Sequence, residues 1–554
     1  MNKQKIADYI CQRIEKAGVS HTFGIPGDFI LPFYAAQTRS SLKTVVMTHE
    51  PSVGYAADAY GRLRGLGVAL VTYGAGGLNM VNPVGLAYAE QSPLLVISGA
   101  PETRFRADKP QLHHCVKTFN TQHDVFSHVT ESTTIVDNAS SAQAEIDRVF
   151  DTTLSTSRPG YLELCRDMVN TEIEVSERRP AAIDPNSPAA QIKAHALKEA
   201  VGEIIERLSQ AKQPVLLVGV EVRRFGLKDD VVELAGALNI PVVTSILGKA
   251  TFPESHPNFI GNYFGQFGGP AVKEYVENSD CILSLGAVMT EMETGGYTAK
   301  FNPDRLMQVT ASEVQIGHHI YHGLHLQPVV EALLQSDLAG RSNFTIPTVL
   351  AEDIKGDPAD KQLTVSAMIE RLNDLLSGPR GSDFSIVTDT GDCMYAGMSL
   401  KTDIFLAPGY YVSMGFGVPA AIGAQIAMPE RRPIVLVGDG AFQMTGLEIS
   451  TAVKEKLNPI IIVFNNASYA MLRFIDQQRD YFDLPRWDYV GLAKSVGADG
   501  MRAESSDDFG RALHKAALSD KAFVIDAILA GDDISPTLRR LTDHFSKKVK
   551  AAIA

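Results

Sequence analysis

The chain has 554 residues, of which 45% are hydrophobic and 21% are charged. This length is too great for one ordinary domain, and at about 150 residues each it predicts three or four. The formal net charge of −13 argues against a sequence-independent nucleic-acid binder, which needs a basic surface, but a local site can still attract a small anion.

The N-terminal segment predicts an amphipathic helix rather than a signal peptide. Its apolar residues Ile6, Ile10 and Ile14 recur four apart with charged residues between them. No uncharged apolar run further along reaches the roughly 18–20 residues of a membrane-spanning helix. The cysteines are scattered without a CxxC pair, which predicts reduced thiols in a cytoplasmic protein rather than a zinc ribbon or a disulfide scaffold. They are Cys11, Cys115, Cys165, Cys281 and Cys393.

Short apolar runs recur along the whole chain and predict strands that are buried on both faces. These runs lie at 68–74, 94–100, 214–220, 281–286, 433–440, 459–466 and 522–529. Helix-like stretches lie between them, which predicts an α/β protein with doubly wound parallel sheets. Irregular, proline-containing stretches at 176–190 and 341–362 look like linkers. They divide the chain into three domains, at 1–178, 190–342 and 360–554.

In the first of these domains, polar residues follow the predicted strands. Asp28 ends the segment "FGIPGD", and Glu50 follows the apolar segment "TVVMT", so both would lie at one edge of the sheet. The neighbours His113 and His114 lie in a loop-like stretch, "QLHHC". Residue types alone leave a solvated surface pair and an acid/base pair open. A zinc site is disfavoured because only Cys115 could add a nearby third ligand.

The segment 435–466 carries the strongest chemical signal. A buried strand ends in Gly438-Asp439-Gly440, and a second buried strand ends in Asn465-Asn466. Asp439 and Asn466 are 27 residues apart, close to the roughly 30 residues of one βαβ unit. A carboxylate and an amide oxygen that meet at a sheet edge suit Mg²⁺, and the glycines allow a diphosphate to approach the backbone.

This GDG and NN combination matches the thiamin-diphosphate signature, and the chain resembles the thiamin-diphosphate-dependent decarboxylase superfamily over essentially its whole length. The resemblance implies pyrimidine-binding, central and diphosphate-binding domains, in that order, with thiamin diphosphate and Mg²⁺ as cofactors. It implies that Asp439 and Asn466 bind the metal through side chains and Ser468 through its backbone carbonyl. It also implies at least a homodimer, commonly a homotetramer, because the two ends of one cofactor contact different subunits.

The resemblance further assigns residues to the organic cofactor. Glu50 would be a buried carboxylic acid that hydrogen-bonds the pyrimidine nitrogen N1′. Met414, in "YVSMGFG", would keep the cofactor bent, although ordinary core packing would also explain this residue. The segment "TDTGDC" would supply the turn that contacts the diphosphate. The complete predicted set of diphosphate-domain contacts is Thr390, Gly391, Asp392, Ser413, Met414, Gly438, Asp439, Gly440, Ala441, Asn466, Ser468 and Tyr469.

Superfamily members that resemble pyruvate and indolepyruvate/phenylpyruvate decarboxylases share adjacent histidines and a "GxPGD" aspartate with this chain. The resemblance therefore implies that Asp28, His113 and His114 are catalytic groups of a non-oxidative 2-oxo acid decarboxylase. Imidazoles have an ordinary pKa of about 6.5, and beside a carboxylate they can exchange protons near neutral pH.

The predicted substrate pocket departs from the pyruvate decarboxylases, which carry a glutamate at the position of Leu472. The departure favours phenylpyruvate or indole-3-pyruvate as the substrate. Met471, Leu472 and Phe474 would together form an apolar wall, although packing in a helix core would also explain Met471 and Phe474. Thr72, in "VTYGAGG", is predicted to lie near the substrate carboxylate.

Three other functions are weighed against this prediction. A carboligase or lyase similar to acetolactate synthase or benzaldehyde lyase would not need both histidines and Asp28. An oxidase with FAD, or a nicotinamide enzyme, would use the central domain, but the segment 219–226 lacks a GxGxxG fingerprint. A non-catalytic binding module is disfavoured because all three parts of the cofactor machinery are present.

Overall fold

The computed structural model describes residues 2–176, 187–336, 344–358, 360–476 and 479–553. Within these ranges the chain forms three large sheets, each flanked by helices, in the order that the sequence predicts. The predicted linker at 176–190 lies mostly outside the described residues, as do 341–343 and 359 of the second linker. The domain boundaries therefore stay predictions.

The first domain is built on a six-stranded parallel sheet with the strand order β3-β2-β4-β5-β7-β6. Its remaining strands, β1 and β8, pair with each other in antiparallel fashion. The strands are β1 Asn2–Lys5, β2 His21–Gly24, β3 Lys43–Val46, β4 Gly67–Val71, β5 Leu94–Ala100, β6 Ser132–Val136, β7 Gly160–Cys165 and β8 Glu172–Val175. The helices are α1 Ile6–Lys16, α2 Leu31–Gln37, α3 Glu50–Arg64, α4 Ala75–Asn79, α5 Val81–Ala89, α6 Thr103–Asp108, α7 Thr121–Ser127 and α8 Ala142–Thr156. The amphipathic helix predicted at the N-terminus is α1, with Ile6, Ile10 and Ile14 fully buried.

The central domain has a seven-stranded sheet that is not wholly parallel. Its strands are β9 Pro214–Val218, β10 Val242–Thr244, β11 Phe259–Asn262, β12 Cys281–Leu285, β13 Leu306–Val309, β14 Glu313–Ile316 and β15 His319–His322. Its helices are α9 Pro188–Gln210, α10 Val220–Arg224, α11 Lys228–Leu238, α12 Pro270–Glu277 and α13 Leu326–Leu334, with a 3₁₀ turn at Pro303–Arg305. The prediction of a parallel sheet is wrong at one edge, where β13, β14 and β15 run antiparallel. Only two or three residues join these strands, and a parallel pair would need a crossover of a dozen or more.

The third domain again has a six-stranded parallel sheet, in the order β17-β16-β18-β19-β21-β20. Its strands are β16 Phe384–Thr388, β17 Phe405–Leu406, β18 Arg432–Gly438, β19 Ile460–Asn465, β20 Asp499–Ala503 and β21 Phe523–Ile528. Its helices are α14 Val365–Leu376, α15 Asp392–Gly397, α16 Gly417–Ala427, α17 Asp439–Thr445, α18 Ile449–Lys454, α19 Ala470–Ile475, α20 Tyr489–Ser495, α21 Ser506–Leu518 and α22 Pro536–Ile553. Short 3₁₀ turns occur at Gly381–Asp383, Gly446–Glu448 and Asp480–Phe482.

The first and third domains pack directly against each other through α3 and α16. The Tyr55 hydroxyl lies 2.6 Å from Ser413 Oγ, and Thr48 Oγ1 donates to Glu448 Oε1 at 2.7 Å. The five cysteines are all free thiols. Among the helices of the described ranges, none combines the length and the apolarity that crossing a bilayer would require.

Candidate active site

A cavity of about 330 Å³ lies at the carboxyl ends of β16, β18 and β19 in the third domain. Parallel strands bring their carboxyl ends to one edge of a sheet, and this edge is where α/β folds bind ligands. The lining includes thirteen residues that the sequence analysis assigned to cofactor, metal or substrate. They are Thr390, Gly391, Asp392, Met414, Gly438, Asp439, Gly440, Ala441, Asn466, Ser468, Tyr469, Met471 and Leu472.

The predicted metal site has the properties that a cation would need. Asp439 is buried, and its Oδ1 accepts from the backbone N–H of Gly440 at 2.8 Å. Its Oδ2 is buried without a hydrogen-bond partner among the described residues. Burial raises the pKa of this carboxyl to about 6, although nearby backbone N–H groups oppose the shift. A bound cation would offset the cost of burying the charge, so the site fits Mg²⁺.

Asn466 and Ser468 adjoin this carboxylate, but both side chains already have hydrogen-bond partners, and Ser468 Oγ accepts from Arg473 Nε. Asn466 Oδ1 accepts from the Ser468 N–H at 3.1 Å. The described residues contain no cluster of three or more His, Cys, Asp or Glu side chains able to hold a metal ion. A metal at Asp439 would therefore need amide and backbone oxygens, which is the ligand set that the sequence predicts.

The cavity has room for an anion beside the backbone of the predicted diphosphate turn. Gly391 has a φ of +74°, a conformation that favours glycine, and a Cβ there would project into open space. A Cβ at Gly438 would likewise meet no atom within 4 Å. The open space beside these two glycines, each at the end of a strand, would let a diphosphate approach the backbone.

Asp389, which was not among the predicted site residues, fixes the loop before α16. This fully buried carboxylate accepts from the N–H groups of Thr390 at 2.9 Å, Gly415 at 3.1 Å and Gly417 at 2.7 Å. Burial raises its pKa to about 6, while these three N–H groups act to lower it. Asp389 thus ties the end of β16 to the loop that carries Met414. Its position directly after a buried strand was a signal for such a role.

The side chains of Ser413, Asp392 and Phe474 make contacts that the sequence did not predict. Ser413 does not line the cavity, because its hydroxyl is bonded to Tyr55 and to Asn82 Nδ2, the latter at 3.0 Å. Asp392 lines the cavity, but its carboxylate accepts from the Ser535 N–H at 2.9 Å, and burial raises its pKa to about 7. Phe474 was expected in the apolar wall and instead packs into the domain core.

The apolar wall consists instead of Met471, Leu472 and a residue that the sequence did not indicate, Met292. Leu472 is 46% exposed, so its side chain faces the open cavity. Met292 comes from the central domain and follows β12 in a loop. Its neighbour Glu293 is buried, and the Glu293 carboxylate accepts from the N–H groups of Ile246 at 2.6 Å and Leu247 at 2.8 Å.

A second cluster of predicted residues lies at the carboxyl edge of the first domain's sheet. Asp28 Oδ2 lies 2.7 Å from His113 Nε2, with both side chains about half exposed. Partial burial acts to raise the pKa of Asp28, but the hydrogen bond and the charges of His113 and His114 lower it below its ordinary value. Asp28 therefore stays ionised, and His113 donates its Nε2–H to this carboxylate.

The two adjacent histidines share a face because the backbone at His114 is left-handed, with φ +66°. His113 stacks on Phe29 with ring centroids 4.9 Å apart, and His114 meets the same ring edge-on at 5.9 Å. His114 Nδ1 lies 2.9 Å from the carbonyl oxygen of Tyr73. A carbonyl only accepts, so Nδ1 carries the proton. Among the residues that the structure describes, no hydrogen-bond partner lies at the other two ring nitrogens, His113 Nδ1 and His114 Nε2.

Thr72 and Glu50 complete this cluster. Thr72 Oγ1 lies 3.5 Å from Asp28 Oδ1, at the limit of a hydrogen bond. Glu50 begins α3, and its Oε2 accepts from Asn79 Nδ2 at 2.9 Å. The expectation of a buried Glu50 is wrong for the single chain, in which it is partly exposed, because the first turn of α3 stands at the open edge of the sheet.

The two clusters lie in different domains, and no described residue of the first domain lines the third-domain cavity. One cluster offers groups that exchange protons, namely a carboxylate and two imidazoles. The other offers a carboxylate suited to a cation, a glycine cradle suited to a diphosphate, and an apolar wall.

Comparisons with known proteins agree with this division. Residues 4–126 match the family described as "Thiamine pyrophosphate enzyme, N-terminal TPP binding domain". Residues 201–336 match "Thiamine pyrophosphate enzyme, central domain", and residues 389–527 match "Thiamine pyrophosphate enzyme, C-terminal TPP binding domain".

Three curated relatives are similar to the chain over nearly its full length. "Indole-3-pyruvate decarboxylase" of Azospirillum brasilense is 38% identical over 99% of both chains. "Alpha-keto-acid decarboxylase" of Mycolicibacterium paratuberculosis is 29% identical over 95% of this chain and 93% of the relative. "Pyruvate decarboxylase isozyme 3" of Saccharomyces cerevisiae is 28% identical over 90% of each.

Proposed function

Because this chain belongs to the thiamin-diphosphate-dependent 2-oxo acid decarboxylase family and is a carboxy-lyase, we propose that it converts indole-3-pyruvate or phenylpyruvate to the corresponding aldehyde and CO₂ with Mg²⁺. The observation that carries the proposal is the Asp28–His113–His114 cluster, which supplies the proton-exchanging groups of a non-oxidative decarboxylase. The printed name of the Azospirillum brasilense relative supports the indole substrate.

The cofactor would be held by residues of the third-domain cavity. Asp439 through its buried Oδ2, Asn466 through its amide and Ser468 through its carbonyl would bind Mg²⁺. Gly391 and Gly438 would admit the diphosphate, and Met414, which lines the cavity, would keep the cofactor bent. When bound, thiamin diphosphate supplies the carbon nucleophile and the electron sink for loss of CO₂.

The first-domain residues hold and move protons. Glu50 would bind the pyrimidine nitrogen, and its carboxylate accepts from Asn79 Nδ2. His113 donates its Nε2–H to Asp28 Oδ2, and His114 presents Nε2 because its Nδ1–H is bound to a carbonyl. Aldehyde formation requires one protonation at carbon and one deprotonation at oxygen, and these titratable side chains are the groups that we assign to both steps. Thr72 would donate its hydroxyl to the substrate carboxylate.

The apolar wall favours a large substrate side chain. Leu472 and Met471 present carbon atoms where a glutamate would place a charge, and Met292 extends this surface from the central domain. An aromatic side chain would bury apolar surface here, at roughly 25 cal/mol per Å², and a methyl group would bury little. The wall therefore favours indole-3-pyruvate and phenylpyruvate over pyruvate.

We further propose that two copies of the chain build each complete site, in a homodimer or a dimer of dimers. Apolar residues beside the cavity are exposed in the single chain, with Tyr410 at 39%, Tyr411 at 41% and Val412 at 40%. Met444 and Leu447 are exposed at 56% and 59%. Exposed apolar residues at this density mark a surface that another protein covers. In the single chain, no described residue of the first domain lines the third-domain cavity. A second copy would bring its Glu50 and its histidines to that cavity.

Product analysis tests the reaction type directly. The purified chain with thiamin diphosphate and Mg²⁺ should release CO₂ and the aldehyde in equal amounts from indole-3-pyruvate. A hydroxyketone as the main product would indicate a carboligase, and consumption of O₂ would indicate an oxidase. Either result would overturn the proposed reaction.

A further inference from the structure

A chain of buried hydrogen bonds runs from Arg106 toward the backbone beside His114. Arg106 Nη2 donates to Glu163 Oε1 at 2.5 Å, and the Tyr161 hydroxyl donates to Glu163 Oε2 at 2.8 Å. Gln122 Nε2 donates to the Tyr161 hydroxyl at 2.6 Å. Glu163 and Tyr161 are fully buried, and Gln122 is 2% exposed. The part of the network between Glu163 and Gln122 is therefore shielded from water, and the Arg106 side chain at its end is 15% exposed.

The donor and the acceptor of each hydrogen bond in this network follow from the groups at its two ends, Arg106 and the Gly74 N–H, which can only donate. Gln122 Oε1 accepts from the backbone N–H of Gly74 at 2.7 Å, and a backbone N–H only donates, so the Gln122 amide has one orientation. The N–H of Gly74 and the carbonyl of Tyr73 belong to one planar peptide group. That carbonyl accepts from His114 Nδ1 at 2.9 Å. One rigid peptide thus joins Gln122 to His114.

This peptide cannot rotate without breaking both hydrogen bonds. Gly74 has a φ of +66°, and a Cβ there would lie 2.1 Å from the His114 carbonyl oxygen, so the two segments are in close contact. A hydrogen bond to the N–H of a peptide also polarises its carbonyl and makes that carbonyl a stronger acceptor. Both effects favour the proton on His114 Nδ1 and leave Nε2 free.

The same network secures both ends of the histidine loop. Arg106 belongs to α6, just before the loop, and its Nη1 donates at 2.7 Å to Asn120 Oδ1, just after the loop. The Tyr73 hydroxyl donates to the Phe119 carbonyl at 3.0 Å. Arg106 thus joins the two ends of the loop that carries His113 and His114. The same side chain binds Glu163 and so also belongs to the network that positions Gln122.

We propose that Gln122 is a positioning residue for His114: supported by Tyr161, Glu163 and Arg106, it fixes the Tyr73–Gly74 peptide and thereby holds His114 in the tautomer with the proton on Nδ1. The consequence for turnover rests on the proposed function, in which His114 Nε2 exchanges the proton. The tautomer itself is a property of the chain and requires no cofactor.

The test measures this tautomer in the full cofactor-free chain by NMR of ¹⁵N-labelled histidine. The pH is set well above the ordinary imidazole pKa of about 6.5, so that neutral rings are observed. The His114 signal is identified by its loss in His114→Gln. We expect the wild type to carry the proton on Nδ1 and Gln122→Met, which lacks the acceptor, to show a mixture of tautomers. Gln122→Glu keeps an acceptor for the Gly74 N–H, and there we expect the Nδ1–H form to persist.

Two controls separate positioning from general damage to the fold. Ser98 Oγ is the other acceptor of Gln122 Nε2, at 2.8 Å, and Ser98→Ala should leave both the tautomer and the turnover unchanged. With cofactor added, Gln122→Met should lower kcat by about 10- to 100-fold, as loss of a partner that orients a functional histidine does. KM should remain within about twofold, because Gln122 is buried and does not line the cavity, and Gln122→Glu should recover much of kcat.

An unchanged His114 tautomer in Gln122→Met would overturn the inference, and so would an equal loss of kcat in Ser98→Ala. Where Gln122→Met does not fold, Gln122→Glu decides, because loss of the Nδ1–H form there would contradict the proposed role of the acceptor. An undiminished kcat in His114→Gln would overturn the proton role in the proposed function while leaving the tautomer result intact.

Discussion

Asp28 and His113 are hydrogen-bonded at 2.7 Å across a sequence separation of 85 residues. The two residues follow different strands of the first domain's parallel sheet, β2 and β5, which end at the same edge. Asp28 is ionised because its pKa is lowered in this contact, and it thereby fixes the proton on His113 Nε2. We therefore expect this pair to act as a unit during proton transfer.

Asp28→Asn should lower kcat by about 10²- to 10⁴-fold, the range that general acid–base groups contribute. Both side chains are about half exposed, so the thermal midpoint should change little. Steady-state CO₂ release and thermal unfolding measure the two effects. Asp8→Asn is the matched control, since Asp8 pairs with Arg39 at 2.6 Å on the surface of the same domain. Equal kcat values for Asp28→Asn and the control would contradict a catalytic role for Asp28.

Leu472→Glu should reduce kcat/KM for indole-3-pyruvate by at least about 10-fold. In the wild type, the aromatic ring of the substrate would pack against the carbon atoms of Leu472. In the variant, the same ring would bury an unpaired charge, which is costly. Leu472 is 46% exposed, so the substitution should not disturb the fold. Leu472→Gln, which has the same shape without the charge, should lose less. If both variants retained full activity with the indole substrate, Leu472 would not contact it.

Mixing two inactive variants tests the shared site. If Glu50 of one copy faces Asp439 of another, a mixed dimer of Glu50→Gln and Asp439→Asn contains one intact site and one site with both defects. Activity should then reappear when the unfolded variants are refolded together and should stay absent in each alone. If both residues served the same site from one chain, every site in the mixed dimer would carry one defect, and the mixture would stay inactive.

The pH dependence of stability should report Glu293, which holds the loop of Met292. Burial raises the pKa of its carboxyl from 4.5 to about 7, although the backbone N–H groups of Leu247 and Ile246 oppose the shift. Between these values the folded chain keeps a proton that the unfolded chain has lost. The free energy of unfolding therefore falls as pH rises through this window, and the contribution is complete below 4.5 and lost above about 7.

Glu293→Gln cannot titrate, so the variant isolates this contribution. The variant places an NH₂ group against a backbone N–H, which costs about 1–3 kcal/mol at every pH. The difference in thermal midpoint between wild type and variant should shrink as pH rises from about 5 to about 7.5. Thermal unfolding in a series of buffers measures it. A difference that stays constant or grows with pH would contradict the raised pKa.

The sequence predicted the strands and the residues that follow them, because buried strands have a distinctive composition and parallel strands bring their carboxyl ends together. Asp439, Asn466 and Asp28 were singled out in this way, whereas His113 and His114 lie in a loop-like stretch and were assigned a role by the family resemblance. The antiparallel edge of the central sheet was missed because short loops, rather than strand composition, decide strand direction.

Residues that act through tertiary contacts were not predictable from local pattern. Gln122 lies in a polar stretch with no periodic signal, and its role depends on a peptide 48 residues away. Met292 reaches the cavity from another domain, which no motif indicates. Ser413 was assigned to the cofactor by its place beside Met414, but its hydroxyl faces Tyr55 of the first domain.

The rate of CO₂ release from four 2-oxo acids tests the central claim most directly. The chain is supplied with thiamin diphosphate and Mg²⁺ and given indole-3-pyruvate, phenylpyruvate, pyruvate and a branched aliphatic 2-oxo acid in separate assays. We expect kcat/KM to be highest for the two aromatic substrates and lowest for pyruvate. Pyruvate as the best substrate would contradict the assignment of the apolar wall, and no CO₂ from any of the four would contradict the proposed function as a whole.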